Sequence, residues 1–438
     1  MRTSKLDGRN YDVIVCGGGA AGIAAACGAA TTGASTLLLE RYGFCGGTPA
    51  AAMIPSLDAS KNCQNTAVMV VGGIARELLD ELENMGGMAT PDNPPEALVF
   101  HPDFMKIAAD RLLKRHSVEV LYYATVVDVA MQGNVIAGVE AALRDGRARF
   151  RAKAVVDATG DADIVFLSGA PWKHDDSLEA LTYHFRLGDL SGHLNWRELE
   201  NACRRAVDAA FEKGLIQRYG GPWVVRVADS EFSVNATRVY GSPVDPVEIT
   251  ACEMQAREDM LVIWQILREG VPELRNSYII GGATQLHMRE SRKMVGEYVL
   301  GEKEVLGSAR FPDAIAVGAW PIDIHPTDGF VGVHPHKEDP PPPYEIPYRC
   351  LVPLAVENLL VAGKPISSSH RAHGSTRQPG TSMATGHAAG VAAALAAQLG
   401  RPPRKLDVAL LRERLLQQGA IVNAMDPEYQ AQGGGDRT

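Results

Sequence analysis

The clearest hydrophobic pattern lies near the N-terminus. Asp12 to Cys16 is a short, mostly apolar run with β-branched residues, the pattern of a strand buried in a parallel sheet. Gly17, Gly19 and Gly22 follow, and Ala20 to Ala30 reads as a helix of small residues. Leu37 to Leu39 predicts a second strand, closed by Glu40. Helical periodicity returns at Gly73 to Met85 and at Asp103 to His116, where Phe104, Ile107, Ala108 and Leu112 share a face. Val118–Tyr123, Thr125–Val129, Val135–Ala141 and a run from Arg147 predict strands, with turns at Gly133-Asn134 and Asp145-Gly146. Ala154 to Asp157 predicts a further buried strand leading into Ala158-Thr159-Gly160-Asp161.

From Gly169 to His325 the character changes. Alternation appears at Leu181–Leu187 and Phe232–Val239, and one long helix is predicted from Pro246 to Glu269. Asn358 to Ala362 restores the buried-strand pattern, followed by a long loop, a helix over Ser382–Gln398 and a last helix over Asp407–Gln418. The final GGGDRT is expected to be disordered. The division this predicts is 1–168 and 326–400 for one discontinuous domain, 169–325 for a substrate lobe, and 401–438 for a terminal helix and tail.

Composition narrows the partners. With 438 residues, 22% charged and 46% hydrophobic, the chain is globular and long enough for more than one core. A net charge of −9 argues against nucleic acid or an anionic membrane as partner. No apolar run has the length of a membrane span. The run behind Arg2 and Lys5 contains Asp12 and the glycine turn, so it reads as a strand rather than a signal peptide. Seven cysteines without a C-x-x-C suit reduced thiols, and a cytoplasmic location is expected.

The first motif carries chemistry. Gly17 permits a tight turn, Gly19 lets a pyrophosphate approach the backbone, and Gly22 lets helix and strand pack closely. The helix start offers N–H groups to phosphates. Glu40 stands where a carboxylate accepts from a ribose 2′-OH. These residues alone leave FAD or NAD open.

Four blocks narrow the choice: GGGAAGIAAA with LLLERYGFCGGT; AVVDATGDADIVFLSGAP; HMRESRKMVGEYVL with FPDAIAVGAWPIDIH; and IPYRCLVP through NLLVAGKPISSSHRAHGSTRQPGTSMATGHAAGVAAALA. With them the chain resembles FAD-dependent oxidoreductases of the glutathione-reductase-like superfamily, in the branch whose motif continues as ERYGF-x-GG. The resemblance implies an α/β fold, a FAD-binding Rossmann-like domain of the two-dinucleotide-binding-domain flavoprotein type with an inserted α+β substrate lobe. It also implies that FAD is held by Gly17, Gly19, Ala20, Ala21 and Gly22, by Glu40 and Arg41, and by Gly46, Gly47 and Thr48. Val127, Ala158, Thr159, Gly160, Asp161 and Gly363 complete its middle. Pro379, Gly380, Thr381, Ser382 and Met383 present a helix start to the flavin's pyrimidine edge, where reduction places negative charge.

Within that frame, disulfide-reductase chemistry is excluded because Cys45 is followed five residues later by Ala50. A second G-x-G-x-x-G unit for NAD(P)H is not found, and Gly363 is followed by Lys364 rather than the Asp of aromatic hydroxylases. His370, His373 and Arg377 sit just before the flavin-facing helix, which makes them the expected catalytic residues. Arg289, Arg292 and His370 are the expected substrate contacts. No metal is assigned to His325, His334, His336 and Asp328, which lack ligand spacing. The expected reaction is hydride transfer between flavin N5 and a small anionic metabolite, with an unnamed electron acceptor or donor. A monooxygenase using NAD(P)H is the alternative, and a non-enzymatic flavin sensor a third. Self-association is left open.

Overall fold

The computed structural model describes residues 2–175, 178–190, 195–216, 221–325 and 340–424. The N-terminal run forms β1 (Asn10–Cys16), followed by helix α1 (Ala20–Thr31) and β2 (Thr36–Leu39). Val13 to Cys16 are fully buried, as a strand covered on both faces requires. Helices α2 (Ile74–Asn84) and α3 (Pro102–Arg115) follow, and the His101 side chain caps α3 by accepting from Asp103 N. Strands β3 (Glu119–Leu121), β4 (Thr125–Gln132), β5 (Val135–Leu143) and β6 (Gly146–Asp157) then complete most of one sheet.

That sheet runs β3-β2-β1-β6-β5-β4. Its β3, β2, β1 and β6 are parallel, whereas β6, β5 and β4 form an antiparallel meander. The two strands expected around Arg147 and Ala154 are one. The first half of β6 pairs with β5 as far as Phe150, and the half from Arg151 pairs with β1. Solvated alternation in the first half and continuous burial in the second made one strand read as two.

The inserted lobe contains β7 (Phe185–Gly188), α4 (Trp196–Glu212), β8 (Trp223–Ala228), β9 (Glu231–Asn235), α5 (Pro246–Gly270) and β10 (Tyr278–Gly282). Its antiparallel sheet has the order β8-β9-β7-β10. Phe185, Leu187 and Phe232 from the sheet pack with Leu199 and Cys203 of α4 and Ile263 and Leu267 of α5. The lobe is shorter than the expected 169–325. Leu300, Ile315, Val317 and Ile322 pack in the main core, because Ala314–Gly318 pairs with Tyr344–Pro347 rather than with the lobe.

The C-terminal part supplies β11 (Leu359–Val361), α6 (His370–Thr376), α7 (Pro379–Leu399) and α8 (Val408–Gln417). β11 joins β6 beyond the point where β5 leaves it. The stretch expected as a long loop holds α6, started by Ser369 Oγ accepting from Ala372 N at 3.3 Å. α7 begins at Pro379, three residues before the predicted start, where proline suits a first helical turn. α1 and α7 are built mostly of small residues, are buried on nearly all sides and pack together in the core. A Cβ added at Gly390 would lie 1.9 Å from Ala25 O, so only glycine allows this approach. His334, His336, Asp328 and the GGGDRT tail lie outside the described residues.

Candidate active site

A cavity of about 750 Å³ runs from the β1–α1 turn into the inserted lobe. Its first part is shaped by glycine. Gly17 has φ +98°, and a Cβ there would meet Ala158 O at 2.5 Å. Gly22 is closed by Gly17 O, 1.8 Å from where its Cβ would be. Gly19 and Gly160 are different: a Cβ would meet only Gly47 Cα at 3.8 Å in one case and Lys364 Cε at 4.0 Å in the other. Both therefore leave room that a larger residue would fill. Gly19 caps α1 without a side-chain hydrogen bond, so N–H groups at that helix start are available to phosphate oxygens.

Glu40 follows β2 with its side chain buried. Its Oε2 accepts from Gly18 N at 2.6 Å and its Oε1 from Tyr42 N at 2.8 Å. Burial pushes its carboxyl up from the usual range, against those backbone donors. Asp161 shows the opposite balance. Burial raises it, but the Lys364 ammonium at 2.9 Å and Ser291 Oγ at 2.7 Å hold it below its ordinary value. The start of α7 lines the cavity through Gln378, Pro379 and Ser382 and has no side-chain cap. A cradle with two open glycines, a buried acid after β2 and two uncapped helix starts fits a dinucleotide such as FAD.

Beyond this cradle is a charged cluster. Arg377 Nε lies 3.2 Å from Glu179 Oε1, and its Nη2 lies 3.3 Å from Asp323 Oδ2. Asp323 Oδ1 lies 3.0 Å from His325 Nε2, whose Nδ1 is 2.8 Å from Arg238 Nη2. Burial first, then Arg289, pushes His325 down to about 3. Arg289 is 2% exposed and donates to Ala180 O at 2.7 Å and Thr182 Oγ1 at 3.3 Å. Among the described residues it has no ion-pair partner. Burial, helped by Arg238 and Arg377, pushes it down to about 9. His287 lines the cavity two residues before Arg289, and its Nδ1 is buried without a partner. Burial and then Arg289 hold it well below the ordinary histidine value.

The structure brings many of the predicted residues to one cavity. Gly17, Gly19, Ala20, Ala21, Glu40 and Arg41 line it, as do Gly47 and Thr48. So do Ala158 through Asp161, Gly363, Pro379, Ser382, Arg289 and Arg377. Gly22, Gly46, Gly380, Thr381 and Met383 shape the walls from behind. Gly380, for instance, packs on Asp58 O, and Met383 lies in the core. Val127 sits at a bulge in β4, and its neighbours Thr125 and Val126 face the cavity instead.

The expected catalytic histidines do not line the cavity. His373 is 1% exposed, with Nε2 3.0 Å from Arg289 O, and burial holds it well below its ordinary value. His370 Nδ1 lies 3.0 Å from Glu290 Oε1 and 3.5 Å from Asp175 Oδ2. These three could surround a cation, but Lys293 Nζ already sits between the carboxylates, 2.6 Å from Glu290 Oε1. Arg292 stands behind the cavity wall: it donates to the lining residues Asp163 (Oδ1, 2.9 Å) and Asp161 (O, 3.0 Å) and lies over the Phe166 ring. Sequence reasoning missed His287 and Asp58, and weighed His325 only as a metal ligand. Only His287 carried a signal, its two-residue spacing from Arg289.

Fold and site together define a dinucleotide-binding flavoprotein. A family model described as "FAD dependent oxidoreductase" matches residues 12–415, and the chain belongs to that family. It is an FAD-dependent enzyme. No curated protein matches the sequence. Among solved structures, a flavin-dependent brominase is similar at 15% identity and TM-score 0.51, over 92% of this chain and 83% of that one. A myxobacterial chondrochloren halogenase gives 14% and 0.49, over 94% and 79%. The p-nitrophenol 4-monooxygenase of Pseudomonas putida DLL-E4 gives 13% and 0.44, over 93% and 84%. The brominase likeness shows a shared fold. The glutathione-reductase-type branch expected from the ERYGF motif is not singled out by these matches.

Proposed function

We propose that the enzyme transfers a hydride between FAD and a small anionic metabolite whose carboxylate or similar oxyanion sits on Arg289. One observation carries this reading: a guanidinium 2% exposed and lining the cavity that forms no ion pair among the described residues, Glu179 and Asp323 acting on it only from beyond ion-pair distance. A buried unpaired cation is costly, and a bound anion relieves that cost. Arg377 is a weaker choice for this role, since Glu179 and Asp323 already balance its charge.

Bound FAD supplies the hydride acceptor or donor. The chain supplies position and protons. Arg289 orients the oxyanion. His287, uncharged while the site is empty, accepts the proton of a substrate hydroxyl or amine as the C–H electron pair leaves. Binding of the anion offsets Arg289, the second cause of the histidine's depressed value, and so makes His287 a better base. The reverse reaction returns the proton.

The test is anaerobic. Small 2-hydroxy and 2-amino carboxylates are added to the oxidised holoenzyme beside their neutral amides, and the visible flavin bands are followed. Acids should perturb or bleach the spectrum where amides do not. Arg289→Met should weaken the acid response roughly 10-fold or more, the scale of a charged hydrogen bond. Equal response to acids and amides overturns the reading.

A second reading is an oxygen-using reaction, favoured by the fold shared with the brominase. Rapid bleaching by NADPH that depends on an organic substrate, with no bleaching by that substrate alone, would select it.

A further inference from the structure

Asp58 is a cavity-lining carboxyl within the field of Arg377 that the proposed reaction leaves unused. It follows Leu57 in a wall loop and presses on the start of α7: Gly380 N donates to Asp58 O at 2.8 Å. The fit is tight, since a Cβ at Gly380 would lie 2.7 Å from both Asp58 O and Ser60 Oγ. Asp58 lines the cavity, and its side-chain Oδ1 is buried with no hydrogen-bond partner among the described residues. Ser60 Oγ, at the same contact with Gly380, is buried with no partner either. An acid with one unpartnered oxygen is therefore held beside a helix start that has no side-chain cap.

We propose that Asp58 is a redox-coupled proton store, taking one proton from solvent when the cofactor is reduced and releasing it on reoxidation. The proposal rests on FAD lying with its pyrimidine edge at the start of α7, but not on the anionic substrate or on Arg289. The balance is simple. Electrons go to the cofactor from the reductant, and Asp58 changes only from carboxylate to carboxylic acid by forming one O–H bond. Its driving force is Coulombic: charge gained at the cofactor's edge disfavours a second negative charge in the same low-dielectric pocket.

The surroundings leave Asp58 poised for this. Burial pushes its carboxyl up to about 7, and Glu96 and Asp323 push in the same direction. The Ser56 hydroxyl and then the Arg377 charge oppose them, and the Cys63 thiol is itself raised by burial, by Glu96 and by Asp58. Asp323 is not an equal candidate, because Arg377 and His325 flank it. Without negative charge added at the cofactor's edge, burial already leaves the Asp58 carboxyl at about 7. With the cofactor reduced, the same group holds its proton to higher pH.

The experiment is a spectroelectrochemical titration of holoenzyme across pH, with dithionite and mediators in place of a substrate. Above about pH 7 the wild-type midpoint potential should fall more steeply than that of Asp58→Asn, by one proton per two electrons. Below that pH the two slopes should agree. A second measurement needs no variant: reduced-minus-oxidised infrared difference spectra of wild type at pH 8 should gain a carboxylic acid C=O band. Parallel potential plots and an infrared difference without that band overturn the proposal. Failure of acids to perturb the flavin would instead overturn the Arg289 reading and leave this one intact.

Discussion

A side chain at Gly386 would place its first carbon 2.1 Å from the carbonyl oxygen of Ala21. The obstacle is backbone, so no rotamer change can relieve it. Gly386→Ala gains helix propensity of about 1 kcal/mol, but separating α1 from α7 costs more. The expected net result is a loss of about 1–3 kcal/mol in denaturant unfolding, with weaker FAD retention. An unchanged midpoint would mean the two helices do not pack this closely in solution.

Arg377 and Glu179 have side chains 4% and 1% exposed. Removing one partner leaves the other charge buried. Arg377→Ala should therefore destabilise the fold by about 3–5 kcal/mol. The double substitution Arg377→Met with Glu179→Leu should recover much of that loss. Urea unfolding of the three proteins decides whether Arg377 is chiefly a structural cation.

Glu40 accepts from two backbone N–H groups as well as facing the cavity. Glu40→Gln leaves one of those donors opposite an amide NH₂. FAD affinity should fall about 10-fold to 100-fold, since a hydrogen bond to a charged group contributes about 1.5–3 kcal/mol. Fluorescence titration of apoprotein with FAD measures it. Retained affinity would remove Glu40 from the ribose role.

His370 gives the fold a pH dependence. Its hydrogen bond to Glu290 raises it above the ordinary value, outweighing burial. A raised folded-state value means its stabilisation is complete below about pH 6.5 and is lost as pH climbs through the raised value. Subtracting the unfolding free energy of His370→Asn from that of wild type, pH by pH, should give a difference that shrinks on the alkaline side. A flat difference would show that His370 is not charged against Glu290.

The nucleotide end was legible because each part is local. Strand, glycines, small-residue helix and Glu40 lie within one continuous stretch, and Gly17 to Glu40 met at the cavity with their order unchanged. The reacting end was not. Whether Arg377 is free to clamp a substrate depends on Glu179, 198 positions away, and nothing near Arg377 in sequence announces that partner. His370 and His373 looked well placed because they precede α7, but α6 winds that stretch into a turn that sends both rings away from the cavity. Arg289 and Arg292 read alike in the sequence as substrate contacts; only burial and the lack of an ion pair among the described residues separate Arg289 from Arg292.

The pairing of α1 with α7 has a consequence for synthesis in the cell. The first phosphate-binding turn leaves the ribosome early, yet the helix that closes over it is encoded more than three hundred residues later. A growing polypeptide halted before Pro379 lacks one wall of the cofactor cradle and the apolar cover of α1. Flavin capture is thus a late event, completed after translation has passed the inserted lobe, and until then the alanine-rich surface of α1 is a natural client for chaperones.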